Sequence, residues 1–155
     1  MKISTKARYG LRILIDIVQF GGDRPRMIRE ISESQGISQK YIGRLIIDLR
    51  KAGILRSVRG AKGGYVLKKK PTDLSILEIV EVMEGKMGLV KCVISPKVCK
   101  RSPACPSRQI WCKLTNEMRG ALARTKLSDV ACGIGEGYAG VTGNEACANF
   151  TESGL

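Results

Sequence analysis

Residues 28–67 read IREISESQGISQKYIGRLIIDLRKAGILRSVRGAKGGYVL, and their periodicities decide the fold. Ile28–Gln35 has the spacing of a short helix with Ile28 and Ile31 inward, and Gly36 is suited to the left-handed conformation that ends a helix sharply. Ser38 is a good N-cap for a helix over Gln39–Lys51, in which Ile42, Leu45, Ile46 and Leu49 form an apolar stripe and Lys40, Arg44 and Lys51 lie off it. Helix, short glycine-containing turn and basic amphipathic helix make a helix-turn-helix pattern. Two ordinary core helices would make it too, and the segment after Lys51 separates the two cases. Ile54-Leu55-Arg56-Ser57-Val58 reads as a strand and Tyr65-Val66-Leu67 as its partner. They are joined by Arg59-Gly60-Ala61-Lys62-Gly63-Gly64, whose glycines permit positive φ and close backbone approach to phosphate. A hairpin placed directly after the second helix is a wing. The glycine run lacks GxxxxGK[ST] and leads into a strand rather than a helix, which argues against a nucleotide-phosphate loop.

Working outward, residues 4–20 predict a helix with Ala7, Leu11, Leu14, Ile15 and Val18 on one face. Ser4 or Thr5 caps it, Gly21-Gly22-Asp23 ends it, and Pro25 punctuates the loop. Lys68-Lys69-Lys70-Pro71 closes the winged unit. Ser75 and Glu78 predict a capping box for a short helix that buries Ile76, Ile79, Val80 and Met83 and ends at Gly85. Residues 86–105 show no helical period. A long helix is expected over Pro106–Leu127, with Trp111, Leu114, Met118, Leu122 and Thr125 spaced for one apolar stripe; it either pairs with a second copy or packs back on its own domain. From Gly133 the chain is glycine-rich and reads as a mobile tail. The expected fold is mainly α with a small β-hairpin wing. Its parts are a winged helix-turn-helix at 1–72, a linker helix and cysteine loop at 73–105, a dimerisation helix at 106–131 and a tail at 132–155.

Charge obeys the same partition. The 155 residues carry a net charge of +13. Residues 1–72 hold 17 Lys and Arg against 5 Asp and Glu, whereas residues 73–155 hold 10 against 9. A basic unit of this kind points to a polyanion, nucleic acid or an anionic membrane. The chain has no histidine, which removes Ser-His-Asp and Cys-His catalysis and most neutral-pH general acid–base chemistry, so an enzyme is not expected. Arg12 and Asp16 interrupt the apolar run near the amino terminus, and no stretch approaches the ~20 apolar residues of a membrane span. A cytoplasmic protein with no membrane partner is the expectation.

All six cysteines fall after residue 91, spaced Cys92-x6-Cys99-x5-Cys105-x6-Cys112, with Cys132 and Cys147 outlying. In a cytosolic chain such cysteines point to metal or redox chemistry before disulfides. Iron–sulfur clusters take thiolates from flexible segments, and the loop with Pro96, Pro103 and Pro106 suits that demand. Zinc ranks lower because the tight CxxC knuckles are missing. Oxidation of bare thiols stays open, since Lys97, Lys100 and Arg101 favour thiolates.

The opening MKISTKARYGLRILIDI, the segment IREISESQGISQKYIGRLIIDLRKAGIL, the wing SVRGAKGGYVL, the block CVISPKVCKRSPACPSRQIW and the later LSDV closely resemble the IscR/NsrR/CymR-type winged-helix regulators. The resemblance covers about residues 1–131. It implies a homodimeric transcription factor paired through the long helix and, for members with the three-cysteine loop, a 2Fe–2S or 4Fe–4S cluster held by Cys92, Cys99 and Cys105. One branch of the family adds a histidine three residues past the third cysteine, where this chain has Arg108. Another uses an acidic residue near the start of the first helix of the partner subunit, where this chain has Arg8. Neither ligand carries over, since arginine stays protonated. Cys112 returns to the face of Cys105 after seven residues and is the expected substitute, with Cys132, Cys147, solvent or a small thiol as the other candidates.

The expected partner is a palindromic double-stranded operator read by two recognition helices about one helical turn apart. Ser38, Gln39, Lys40, Tyr41 and Arg44 face the groove in this reading, with Gln39 and Arg44 on base edges and Lys40 on phosphate. Arg59 and Lys62 at the wing tip reach the minor groove or backbone, and Lys51, Arg56, Gly63 and Gly64 complete the candidate set. Operator binding is expected to depend on the state of the cluster. The alternative is a cluster-free repressor of the same fold, controlled by cysteine oxidation or a partner protein.

Overall fold

The computed structural model describes residues 3–22 and 24–132. The sequence-predicted tail from Gly133, with Cys147, lies outside them. Helices α1 (Thr5–Gly21), α2 (Ile28–Gln35) and α3 (Gln39–Lys51) lead into an antiparallel hairpin of β1 (Leu55–Val58) and β2 (Gly64–Leu67), paired Leu55 to Leu67 through Val58 to Gly64. Then come α4 (Ile76–Glu84), α5 (Lys91–Ile94), two single 3-10 turns at Pro96–Val98 and Ser102–Ala104, α6 (Pro106–Arg124) and α7 (Leu127–Cys132). The fold is the expected one: mainly helical, with a two-stranded wing after the third helix. Among the described residues no helix is long and apolar enough to cross a membrane.

Local chemistry sets the helix ends. Ser4, Ser38 and Ser75 each accept a hydrogen bond from the backbone N–H three residues on, relieving one of the unpaired donors of the first turn. Gly36 closes α2 at φ +64°, where a side chain would crowd its own carbonyl. The capping box at α4 is only half made. Ser75 caps Glu78 N–H, but the Glu78 carboxylate takes Lys69 instead, at 2.6 Å.

One core runs through the winged unit and the helices behind it, built on Ile13, Leu14, Ile31, Ile42, Leu45, Ile46, Leu49, Ile54, Leu74, Ile79 and Leu127. The inward face of α1 is rotated from the expected one. Ala7 and Leu14 are buried as expected, but Ile13, Asp16 and Ile17 are buried while Leu11, Ile15 and Val18 are half-exposed. The reason is that α1 is central, touching α2, α3, α4, α7 and β2, so its neighbours rather than its own apolar period choose the face. In α2, Ile31 is buried and Ile28 is half-exposed.

The long helix also differs from expectation. It stops at Arg124, and Leu127–Cys132 restarts as α7. The break is pinned from outside: Lys126 bridges to Ser75, Ile76 N–H donates to Thr125 O at 2.9 Å, and Leu127 N–H donates to Leu74 O at 2.8 Å. Asp129 then accepts from Lys126 N–H at 2.8 Å, capping the new helix. The expected single stripe is divided accordingly. Met118 and Leu122 pack on the core, whereas Trp111 and Leu114 face outward.

Candidate nucleic-acid interface

The outward side of α3 is cationic. At 100° per residue, Lys40, Arg44, Ile47 and Lys51 fall within roughly 60° of one another, opposite the buried Ile42, Leu45 and Leu49. Ser38, Lys40, Tyr41 and Arg44 line one shallow depression at the start of the helix. Tyr41 is half-buried there, its ring edge-on to Tyr9 at 6.0 Å between centroids. Gln39 is exposed but does not line that depression.

Lys51 and Arg56 do not line this depression. They lie with Ile47, Arg50, Leu55 and Lys68 around a second cleft, between the end of α3 and the wing. Arg50 and Lys68 enter the cationic face only through this packing; the cue available in the sequence was their place at the end of a basic helix and just past a strand. Arg59 and Lys62 are exposed in the wing turn. Among the described residues, none of Lys40, Arg44, Lys51, Arg56, Arg59 and Lys62 has a carboxylate within 4.0 Å, whereas elsewhere Lys6, Lys69 and Arg119 each hold one and Arg26 holds two. Cations left unpaired on one face are available to phosphate.

The wing is held by the residue that ends the loop before α2. Arg26 exchanges both backbone hydrogen bonds with Tyr65, at 3.0 and 2.9 Å. A Cβ on Gly64 would stand 2.5 Å from the Arg26 carbonyl oxygen, and one on Gly63 would collide with the carbonyls of Val58 and Gly60. These two glycines are therefore required by the hairpin itself. The Arg26 side chain turns inward to the fully buried Asp16, Nε to Oδ1 at 2.7 Å, and Asp16 also accepts from Ser34 and, at 3.0 Å, from Gln35. One buried network thus ties α1, α2 and the wing together.

The cysteine loop runs across α5 and the two 3-10 turns to the head of α6. Cys92, Cys99, Cys105 and Cys112 are all free thiols, half-buried. Cys105 is the N-cap residue of α6, and its thiol is drawn below the ordinary value, first by the Ser107 hydroxyl at 3.2 Å, then by the Arg108 backbone N–H, with the Arg101 charge adding to both. Arg108 donates from Nε to the Cys92 carbonyl at 3.1 Å, so it braces α6 against α5. Ser102 is buried and its hydroxyl has no hydrogen-bond partner among the described residues. Four soft thiols along one loop suit a thiolate-bound iron–sulfur group in chemistry. In placement they are spread: among the described residues no three Cys, Asp or Glu side chains converge as a metal site. Holding a cluster requires the loop to close.

The sequence profile described as "Rrf2: Iron-dependent Transcriptional regulator" matches residues 3–133. Protein rrf2 of Nitratidesulfovibrio vulgaris is 38% identical over 130 residues, spanning 84% of this chain and 87% of that protein. Among solved structures, CymR of B. subtilis, described as its global cysteine regulator, superposes with a TM-score of 0.71 at 33% identity, covering 84% of this chain and 96% of that one. IscR of T. potens superposes with a TM-score of 0.71 at 31% identity, covering 91% and 97%. With its wing, its basic third helix and these likenesses along most of its length, the chain belongs to the Rrf2 family of winged-helix, DNA-binding transcriptional regulators.

Proposed function

We propose that this regulator acts as a homodimer that lays α3 in the major groove and the wing against the minor groove of a two-fold operator, and that the cysteine loop controls its occupancy. The observation that carries the reading is the set of cations on α3 and the wing that, among the described residues, have no carboxylate within 4.0 Å; the carboxylate of α3, Asp48, pairs with Lys6 on α1 instead. In this arrangement the parts divide as the winged unit over 1–72, the linker and loop over 73–105 and the pairing helix over 106–131. Ser38, Gln39 and Arg44 hydrogen-bond base edges, Lys40 and Lys51 hold phosphate, and Arg56, Arg59 and Lys62 extend the track along the wing.

Cys92, Cys99 and Cys105, with Cys112 as the fourth thiol, are the residues that would hold an iron–sulfur cluster. When bound, such a group supplies a centre sensitive to redox state and nitric oxide. The family description as iron-dependent and the unpartnered Ser102 hydroxyl support this reading. The spread of the thiols and the lowered Cys105 thiol favour a second one, control by cysteine oxidation without metal.

Both readings meet in one experiment. The chain is purified anaerobically and titrated against duplexes selected from a random pool, at a series of salt concentrations. About 6–10 phosphate contacts predict a loss of roughly 10³–10⁵ in affinity between 50 and 200 mM salt. A flat salt response defeats the DNA reading. Visible absorbance at about 320–420 nm, lost in Cys92→Ala, Cys99→Ala or Cys105→Ala, supports the cluster. Colourless protein whose DNA affinity changes on thiol oxidation supports the second reading.

A further inference from the structure

Ile47 stands in the middle of the cationic stripe of α3, and nothing in the core claims it. It is 49% exposed and outside the hydrophobic cluster that takes Ile42, Leu45, Ile46 and Leu49 from the same helix. The helical period places it between Arg44 and Lys51, one turn from each. The other outward apolar residues of the long elements are Phe20 near the end of α1 and, on α6, Ile110, Trp111 and Leu114. On α3 it is a single aliphatic group surrounded by cations.

Side chains on a helix lean toward its N-terminus, so Ile47 is directed toward the turn that holds Gly43 without covering it. Glycine weakens a helix interior, yet beyond its chain neighbours and the local helix backbone nothing lies within 4 Å of where a Gly43 Cβ would stand, so no packing neighbour demands it. The result is an apolar side chain beside a patch of bare helix backbone, on the face whose charges suit DNA. In the major groove the base-edge groups are hydrogen-bond donors and acceptors, with one apolar exception, the C5-methyl of thymine.

We propose that Ile47 is a specificity-determining residue that reads a thymine C5-methyl group in each operator half-site, with Gly43 leaving the room for the base edge to approach. This rests on the reading of α3 as the recognition helix and deepens it.

The test removes the methyl from the DNA and leaves the protein intact. Duplexes selected by the wild-type chain are remade with uracil at each thymine in turn. At one thymine per half-site, uracil should weaken wild-type binding by roughly three- to fivefold, the worth of one buried methyl. Ile47→Ala should bind the thymine and uracil duplexes alike, and Ile47→Val should retain part of the discrimination. Salt-dependent binding with no uracil-sensitive position, or an Ile47→Ala variant that still discriminates as the wild type does, overturns the assignment of Ile47 alone. Failure to select any duplex overturns the recognition-helix reading and the assignment with it.

Discussion

Asp16 is fully buried on the central helix, and three side chains from outside that helix converge on it. Its carboxylate is stable there because Arg26 supplies the countercharge and Ser34 and Gln35 fill the remaining lone pairs. Removing Asp16 leaves the buried Arg26 with only the more distant Glu30 carboxylate, at 3.7 Å, which costs far more than the pair itself is worth. Asp16→Ala is expected to lower unfolding free energy by about 3–5 kcal/mol in urea denaturation. The Asp16→Ala, Arg26→Met double variant should lose clearly less than the two single losses together, because the residues share one interaction. In the sequence, Asp16 only breaks an apolar run. Its partners lie 10 to 19 residues away, and no local period announces that they meet.

The junction of α4 with α6 shows how one element is positioned by another. Arg119 reaches from α6 to the Glu81 carboxylate, which also accepts from Met87 N–H at 3.3 Å, while Thr115 accepts from Leu89 N–H at 3.2 Å. Burial pushes the Glu81 carboxyl up, but the Arg119 and Met87 hydrogen bonds outweigh it and hold the group below its ordinary value of 4.5. A carboxyl lowered in the folded state adds stability that is present in full above its unfolded value and lost as pH falls through the folded one. Glu81→Gln should therefore be less stable than the wild type at neutral pH, and the gap should close as pH falls below 4.5. Urea midpoints of the two proteins, compared from pH 7 downward, check this; a gap independent of pH would show that the carboxylate charge contributes nothing. The start of the long helix at Pro106 was legible in the sequence. The break at Thr125–Lys126 was not, because it depends on hydrogen bonds to Ser75, Ile76 and Leu74 far back in the chain.

At the scale of the molecule, the free half of α6 is the feature that asks for a partner. Ile110, Trp111 and Leu114 are 60, 39 and 42% exposed along its amino-terminal half, next to the cysteine loop, where Ile94 and Val98 are also exposed. Water-exposed apolar groups clustered at helical spacing mark an interaction surface, and under the homodimer proposed above a second copy would cover it. Leu114→Glu combined with Trp111→Lys should convert a dimer to monomers in sedimentation velocity. Binding to a two-half-site duplex should then fall by about 10²–10⁴ as the second contact loses its effective concentration, while affinity for a single half-site stays the same. Unchanged sedimentation would place the pairing surface elsewhere.

What the sequence by itself determined is whatever local physics controls. Caps at Ser4, Ser38 and Ser75, the stop at Gly36, the stripe of α3 and the glycine turn of the wing depend on residues within one turn of each other, and they carry the fold class. The division between a basic first half and a cysteine-bearing second half is arithmetic on the chain. Only the tertiary structure decided which face of α1 is inward, where the long helix breaks, that Arg26 anchors the wing, and that Lys51 and Arg56 stand apart from the depression at the head of α3. Each of these depends on groups brought together from distant positions, where burial and hydrogen-bond pairing outweigh the period of any one segment. Ile47 shows the difference. The helical period of the sequence already sets it opposite the buried stripe, but only the packing of the other elements leaves that position uncovered among the cations.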